Sequence, residues 1–171
     1  MASGPRYTVR FRRSRVGKTN YHTRLALLKS RKPRLVIRKT NKYINCQVIN
    51  YTAKGDTVIA SAHSKQLTKN GWKHSCNNLS AAYLTGLMVG LEAKKAKTSD
   101  VIFDMGAYSS VKGSVLYAAL KGVVDAGLNV PHDPEVFPSE ERLQGKHTKA
   151  KDLLKDIEAV KKKLGVKNET K

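Results

Sequence analysis

Residues 34–63 read RLVIRKTNKYINCQVINYTAKGDTVIASAH, and the architecture follows from this stretch. Arg34–Thr40, Tyr43–Tyr51 and Asp56–His63 are β-branched and aromatic runs with period-two alternation, the pattern of strands that bury one face. In the second run Ile44, Cys46 and Val48 share a face, opposite Tyr43, Asn45, Gln47 and Tyr51. In the third, Val58, Ala60 and Ala62 are expected on one face and Thr57, Ile59 and Ser61 on the other. The connections, Asn41-Lys42 and Ala53-Lys54-Gly55, are short enough for antiparallel hairpins. A three-stranded meander is the expected result.

Downstream, Asn78–Lys97 reads as the main core helix, with Asn78 as its cap and Leu79, Ala82, Tyr83, Leu87 and Leu91 as a broad apolar face. Gly86 and Gly90, four apart, leave room for another element to approach closely. Val101–Asp104 (VIFD) predicts a short buried strand, Met105–Val111 a loop, and Lys112–Ala126 a second helix stopped by Gly127. The order β-β-β-α-β-α implies an α/β (α+β) fold. Its single mixed sheet holds the antiparallel meander plus one further short strand, packed by two main helices.

Upstream, residues 1–19 are polar and basic, carry Gly4, Pro5 and Gly17, and bury too little surface to fold alone; they read as an arm that orders on a partner. Asn20–Arg31 places Tyr21, Arg24, Leu25 and Leu28 at helical spacing, with Thr19 or Asn20 as cap, and ends before Pro33. Residues 128–147, with Pro131, Pro134 and Pro138, predict irregular chain. Leu153, Ile157, Val160 and Leu164 mark a charged C-terminal helix whose spacing suits packing on the domain or on a neighbouring protein. Three regions result: a basic arm and short helix (1–31), an α/β core (32–130), and an irregular segment with the C-terminal helix (131–171).

Charge is the unusual quantity. The 33 Lys and Arg against 13 Asp and Glu give a net +20 among 171 residues. The first acid is Asp56, so residues 1–55 carry 15 basic groups unopposed, and nine of the ten arginines lie between Arg6 and Arg38. Such a field points to a polyanion. Arginine adds a planar fork that pairs with phosphate and stacks on bases. Arg6, Arg10, Arg12, Arg13, Arg15, Lys18 and Arg24 alternate with Tyr7, Phe11, Tyr21 and His22. That mixture of phosphate-neutralising cations and stacking rings suits RNA loops and bulges. The sequence offers no helix-turn-helix, zinc finger or zipper to a DNA major groove.

Other chemistries are weaker. Asp104–Ser114 (DMGAYSSVKGS) leaves a strand and opens a helix, so Lys112 and Ser114 suit a phosphate contact; Gly113 follows the lysine rather than preceding it, which is not the nucleotide-binding loop. His63, His74, Cys46 and Cys76 match no zinc spacing. Asp104, with Asp56 and Asp125, raises a ribonuclease-H-like two-metal reading, but no second acid lies within a turn of Asp104. Cys46 and Cys76 form no disulfide framework, and Ala81–Leu91, the longest apolar stretch, is too short to span a membrane.

The segments RYTVRFRRSR (6–15), GKTNYHTRLALLKSRKPRLVIRKTNKYI (17–44), ASAHSKQL (60–67), AAYLTGLMVGLEAKKAK (81–97), VIFDMG (101–106) and KGSVLYAALKGVVDAGLNVPH (112–132) resemble, in order, one ribosomal family. It is the large-subunit ribosomal protein family numbered eighteen in bacteria and archaea and five in eukaryotes, with the archaeal type favoured. The resemblance covers roughly residues 5–147 and implies a non-catalytic, cofactor-free ribosomal protein of the cytoplasm. Its implied partners are 5S ribosomal RNA, the large ribosomal RNA of the central protuberance and neighbouring ribosomal proteins. No membrane and no small-molecule substrate are implied. By position, the RNA-facing set comprises Arg6, Tyr7, Arg10, Phe11, Arg12, Arg13, Arg15, Lys18, Thr19, Tyr21, His22 and Arg24 of the arm. To these it adds Arg38, Lys39, Asn41, Lys42 and Tyr43 of the first hairpin, and Lys112, Gly113 and Ser114.

Overall fold

The first hairpin joins β1 (Arg34–Lys39) to β2 (Ile44–Thr52), and the second joins β2 to β3 (Gly55–His63). The structure, a computed structural model, describes residues 4–148 and 152–165. Both hairpins are antiparallel, with Lys39 opposite Ile44 and Thr52 opposite Gly55. Thr40 closes the first turn, its Oγ1 accepting from Tyr43 N at 3.0 Å while its own N–H donates to the Tyr43 carbonyl at 2.8 Å. β4 (Ile102–Asp104) then pairs parallel to β1, giving the sheet order β3-β2-β1-β4. A parallel partner demands a long crossover, and the chain between β3 and β4 supplies it as helix.

The face of β3 departs from simple alternation. A bulge at Val48/Ile49 shifts the register, so that Val48 faces Ala60 but Ile49 faces Val58. Ala60 and Ala62 stay in the core, while Val58 turns outward and is 53% exposed, and Ile59 packs against the core instead. One extra residue reverses every face beyond it, a change that alternation alone does not reveal.

The crossover is α3 (Gln66–Lys69) followed by α4 (Leu79–Lys95). Asn78 caps α4, its Oδ1 accepting from Ala81 N at 2.7 Å. α4 is buried on several sides. Ala82, Val89 and Ala93 join Leu35, Ile37, Cys46 and Val48 of the sheet in the main core, which α5 (Val115–Asp125) completes with Leu116, Leu120 and Val123. The second helix therefore begins at Val115, later than the expected Lys112. Gly113 has φ +68°, so residues 112–114 form a turn ahead of the helix.

Glycine sets the closeness of α4 and α5. A Cβ on Gly122 would overlap the Tyr83 carbonyl oxygen and come 2.9 Å from the Leu87 nitrogen; one on Gly86 would overlap the Ala119 carbonyl. The helices touch backbone to backbone. Gly122→Ala is expected to lower unfolding free energy by about 1–3 kcal/mol or more, measured by urea denaturation, because neither backbone can yield alone.

Residues 128–147 are only partly irregular. Asn129 bridges to Asp100, a 3₁₀ turn covers Pro134–Val136, and α6 (Glu140–Leu143) packs beside α4 through Leu143, whose carbonyl accepts from Ser80 Oγ at 2.6 Å. The C-terminal helix α7 (Leu153–Lys163) packs on the domain itself. Its Leu153, Ile157 and Val160 form a second core with Leu67, Trp72, Ala81, Leu84 and Leu87.

Candidate nucleic-acid interface

The arm is better anchored than its composition suggests. It contains α1 (Arg12–Arg15) and α2 (Tyr21–Leu28), the latter capped by Asn20, whose Oδ1 accepts from His22 N at 3.0 Å and Thr23 N at 3.3 Å. Neither helix buries a residue, so apolar packing does not hold them. Charge does. Arg24 donates to both oxygens of Asp56 on β3, at 2.8 and 2.9 Å. Asp56 also accepts from Arg34 of β1 at 2.9 Å, and Arg34 donates to Asp104 of β4 at 2.8 Å. Asp104 then takes Arg38 Nη2 at 3.3 Å and the Gly106 N–H at 2.8 Å.

This chain of charges crosses the outer face of the sheet from edge to edge. Arg34 and Asp104 are only 3% and 6% exposed, so their pairing, with Asp56 and Arg38 on either side, offsets the cost of burying the two groups. Arg24 and Arg38, expected to face RNA, also make ion pairs within the protein, where they fix α2 and the β4 loop to the sheet while staying partly exposed. Arg38 also donates to the carbonyls of Ile37 and Asp104, at 2.9 and 3.0 Å. No sequence pattern pairs Arg34 with an acid 70 residues away, so sequence reasoning misses Arg34 and Asp104 as the frame of the site.

On that frame the expected residues divide. Arg6, Tyr7, Arg10, Phe11, Arg12, Arg13, Arg15, Lys18, Tyr21 and His22 are all exposed. Phe11 and Tyr21 lie with ring centroids 5.3 Å apart, yet Phe11 is 74% exposed, which leaves a face free for stacking. Arg13 Nε donates to Thr19 Oγ1 at 2.9 Å, steadying the turn between the two short helices. Arg13, Lys18, Thr19 and Arg24 share a cleft of about 260 Å³ with Arg34, Arg38 and Asp104.

The hairpin and the β4 loop meet at the carboxyl ends of β1 and β4. Tyr108 donates its hydroxyl proton to the Lys39 carbonyl, Asn77 Nδ2 donates to the Asn41 carbonyl at 3.0 Å, and Tyr43 packs on His63 at 5.1 Å. Lys39, Asn41 and Lys42 are exposed there. Lys112 reaches Glu135 at 2.8 Å in an exposed pair, and Gly113 N donates to the Val136 carbonyl at 2.9 Å. Ser114 Oγ is buried without a partner. Lys39, Tyr108, Ser114 and Arg142 line one cavity of about 320 Å³. Arg142 is the single arginine outside the N-terminal block, and its isolation in sequence hid its place beside this loop.

The arrangement can bind an extended anion but offers poor footing for metal chemistry. Both oxygens of Asp104 are held by arginines and a backbone N–H, and Asp125 is exposed on α5. Burial pushes the Cys46 thiol up to about 12, so it supplies no thiolate near neutrality. Among the described residues, no group of three or more His, Cys, Asp or Glu is placed to hold a metal ion. None of the described helices is long and apolar enough to cross a membrane.

Comparison with known proteins places this surface in context. Residues 5–100 match the family described as ribosomal large subunit proteins 60S L5 and 50S L18. The chain belongs to this family. It is 57% identical over 147 residues to the large ribosomal subunit protein uL18 of Korarchaeum cryptofilum, covering 86% of this chain and 75% of that protein. It is 47% identical over 167 residues to the uL18 of Methanothrix thermoacetophila, covering 96% of this chain and 99% of that one. The chain is a family member of archaeal type. The matched family region spans the arm, the meander and α4, so the densest part of the charged surface lies within it.

Proposed function

We propose that this chain, a structural constituent of the large ribosomal subunit in the cytoplasm, binds 5S ribosomal RNA and helps attach it to the large ribosomal RNA in the central protuberance. Membership of the family and the names of both relatives support the ribosomal role. The observation that carries the RNA reading is the continuity of one basic surface. The Arg24–Asp56–Arg34–Asp104–Arg38 chain of ion pairs links the ring-studded arm to the strand that leads into the Lys39–Lys42 turn, and Lys39 shares a cavity with Gly113 and Ser114. Exposed cations along that path neutralise phosphates, and Tyr7, Phe11 and Tyr21 offer faces to unpaired bases.

The role is non-catalytic in this reading. The engagement of Asp104 by Arg34 and Arg38 argues against a ribonuclease-H-like centre. Filter binding at about 150 mM salt tests the proposal: 5S RNA should bind about tenfold or more tighter than an unrelated RNA of equal length. Equal affinity would leave only a generic RNA chaperone acting through residues 1–30. Cleavage of labelled RNA that needs Mg²⁺ or Mn²⁺ and disappears in Asp104→Asn would favour an enzyme instead.

A further inference from the structure

The cations of the C-terminal half are not distributed evenly with respect to acids. Lys112, Lys121 and Lys155 each lie within 4 Å of a carboxylate, of Glu135, Glu140 and Asp152 respectively. A different group stands apart. Residues 64–77 contain Lys65, Lys69 and Lys73 and no acid, and α7 ends in Lys161, Lys162 and Lys163. Among the described residues none of these six lysines is in an ion pair.

The fold brings the two segments together. The second core seats α7 against Leu67 and Trp72, which flank the Lys69–Gly71 turn. Lys163 Nζ donates to the Asn70 carbonyl at 2.9 Å, and Lys161 Nζ lies 4.8 Å from the centre of the Tyr83 ring. Those two lysines fasten the end of the helix. Lys65, Lys69, Lys73 and Lys162 are left exposed around the junction. α7 carries acids as well: Asp156 faces His74 at 3.2 Å, Asp152 faces Lys155, and the exposed Glu158 stands one turn before Lys162, so the excess of lysine over acid at the junction is what marks the surface.

We propose that Lys69, Lys73 and Lys162 form a second RNA-backbone surface, assembled only when α7 docks, so that the chain grips two RNA segments at once. The proposal rests on the RNA-binding reading of the family but concerns a surface separate from the arm. An RNA backbone suits it better than a membrane or a protein partner. No large apolar side chain is exposed on residues 64–77 or in the last turn of α7, so an inserting or docking hydrophobe is missing there. All the cations are lysines, which act as point charges on phosphate and read no base, unlike the arginine-rich arm. The surface therefore binds without sequence preference and with strong salt dependence.

The test uses the full chain and a plain RNA duplex of about 20 base pairs as probe, read by fluorescence anisotropy at about 100 mM salt. Arg6, Arg10, Arg12, Arg13 and Arg15 are first changed to Gln, so that the arm no longer contributes. In that background Lys69→Gln/Lys73→Gln/Lys162→Gln should weaken duplex binding about tenfold and reduce the salt slope by about 2, with an unchanged melting temperature because all three side chains are exposed. In the otherwise native chain, the same three changes should leave 5S RNA affinity within about twofold. Duplex binding that ignores the three lysines overturns the proposal. So does capture of polyglutamate by these lysines in place of duplex, which would mark an acidic-protein surface. Since the duplex experiment makes no use of 5S selectivity, loss of that selectivity would sink the 5S reading alone.

Discussion

Asp104→Ala is expected to lower unfolding free energy by about 3–5 kcal/mol, the range for removing one partner of a buried ion pair. The substitution strips Arg34 of its 2.8 Å partner while Arg34 stays 3% exposed, and it also releases Arg38 and the Gly106 N–H. The cost comes from a buried charge left with the more exposed Asp56 as its one remaining carboxylate, more than from a lost attraction. A second variant separates the two causes. Arg34→Met/Asp104→Leu removes both charges and keeps bulk, so it should recover most of the stability, as apolar replacements of buried pairs often do. Urea unfolding of the wild type and both variants measures this. A loss under about 1 kcal/mol for Asp104→Ala would show that the charge chain does not support the sheet.

Deleting residues 1–19 is expected to cut affinity for 5S RNA by on the order of 10³-fold or more at about 0.15 M salt. The deletion removes Arg6, Arg10, Arg12, Arg13, Arg15 and Lys18, six exposed cations, and so should reduce the salt slope by about 4 to 5. The free protein should melt within a few degrees of the full chain, because α1 buries nothing and α2 keeps its Arg24–Asp56 tie. A fall of more than about 5 °C would mean that the arm belongs to the fold.

Much of the architecture was legible because local pattern and tertiary packing agree. The meander shows in alternation and turn length, α4 in its Asn78 cap and apolar face, and the α4–α5 approach in Gly86 and Gly90. The outward turn of Val58 was not legible, since a bulge leaves no trace in hydrophobic period. Nor was the start of α5 at Val115: residues 112–114 carry no helix breaker other than a glycine, and Gly113 takes a left-handed conformation in which its N–H donates to the distant Val136 carbonyl.

The candidate interface was legible as composition but not as construction. Fifteen unopposed cations in the first 55 residues and the interleaved rings named the partner class. That Arg24 and Arg38 bind carboxylates, while their neighbours face solvent, depends on contacts between strands far apart in sequence. Arg34 reads as an ordinary strand residue and Asp104 as a candidate metal carboxylate until the parallel pairing of β1 and β4 brings them within 2.8 Å. Arg142 joins Lys39 and Ser114 only because α6 folds back beside the loop.

Amide hydrogen exchange of the full chain, free and saturated with 5S RNA, tests the central claim most directly. Binding along one continuous basic surface predicts new protection together in residues 6–24, 38–43 and 105–114. Protection absent from the first segment, or confined to the sheet interior and α4, would contradict it.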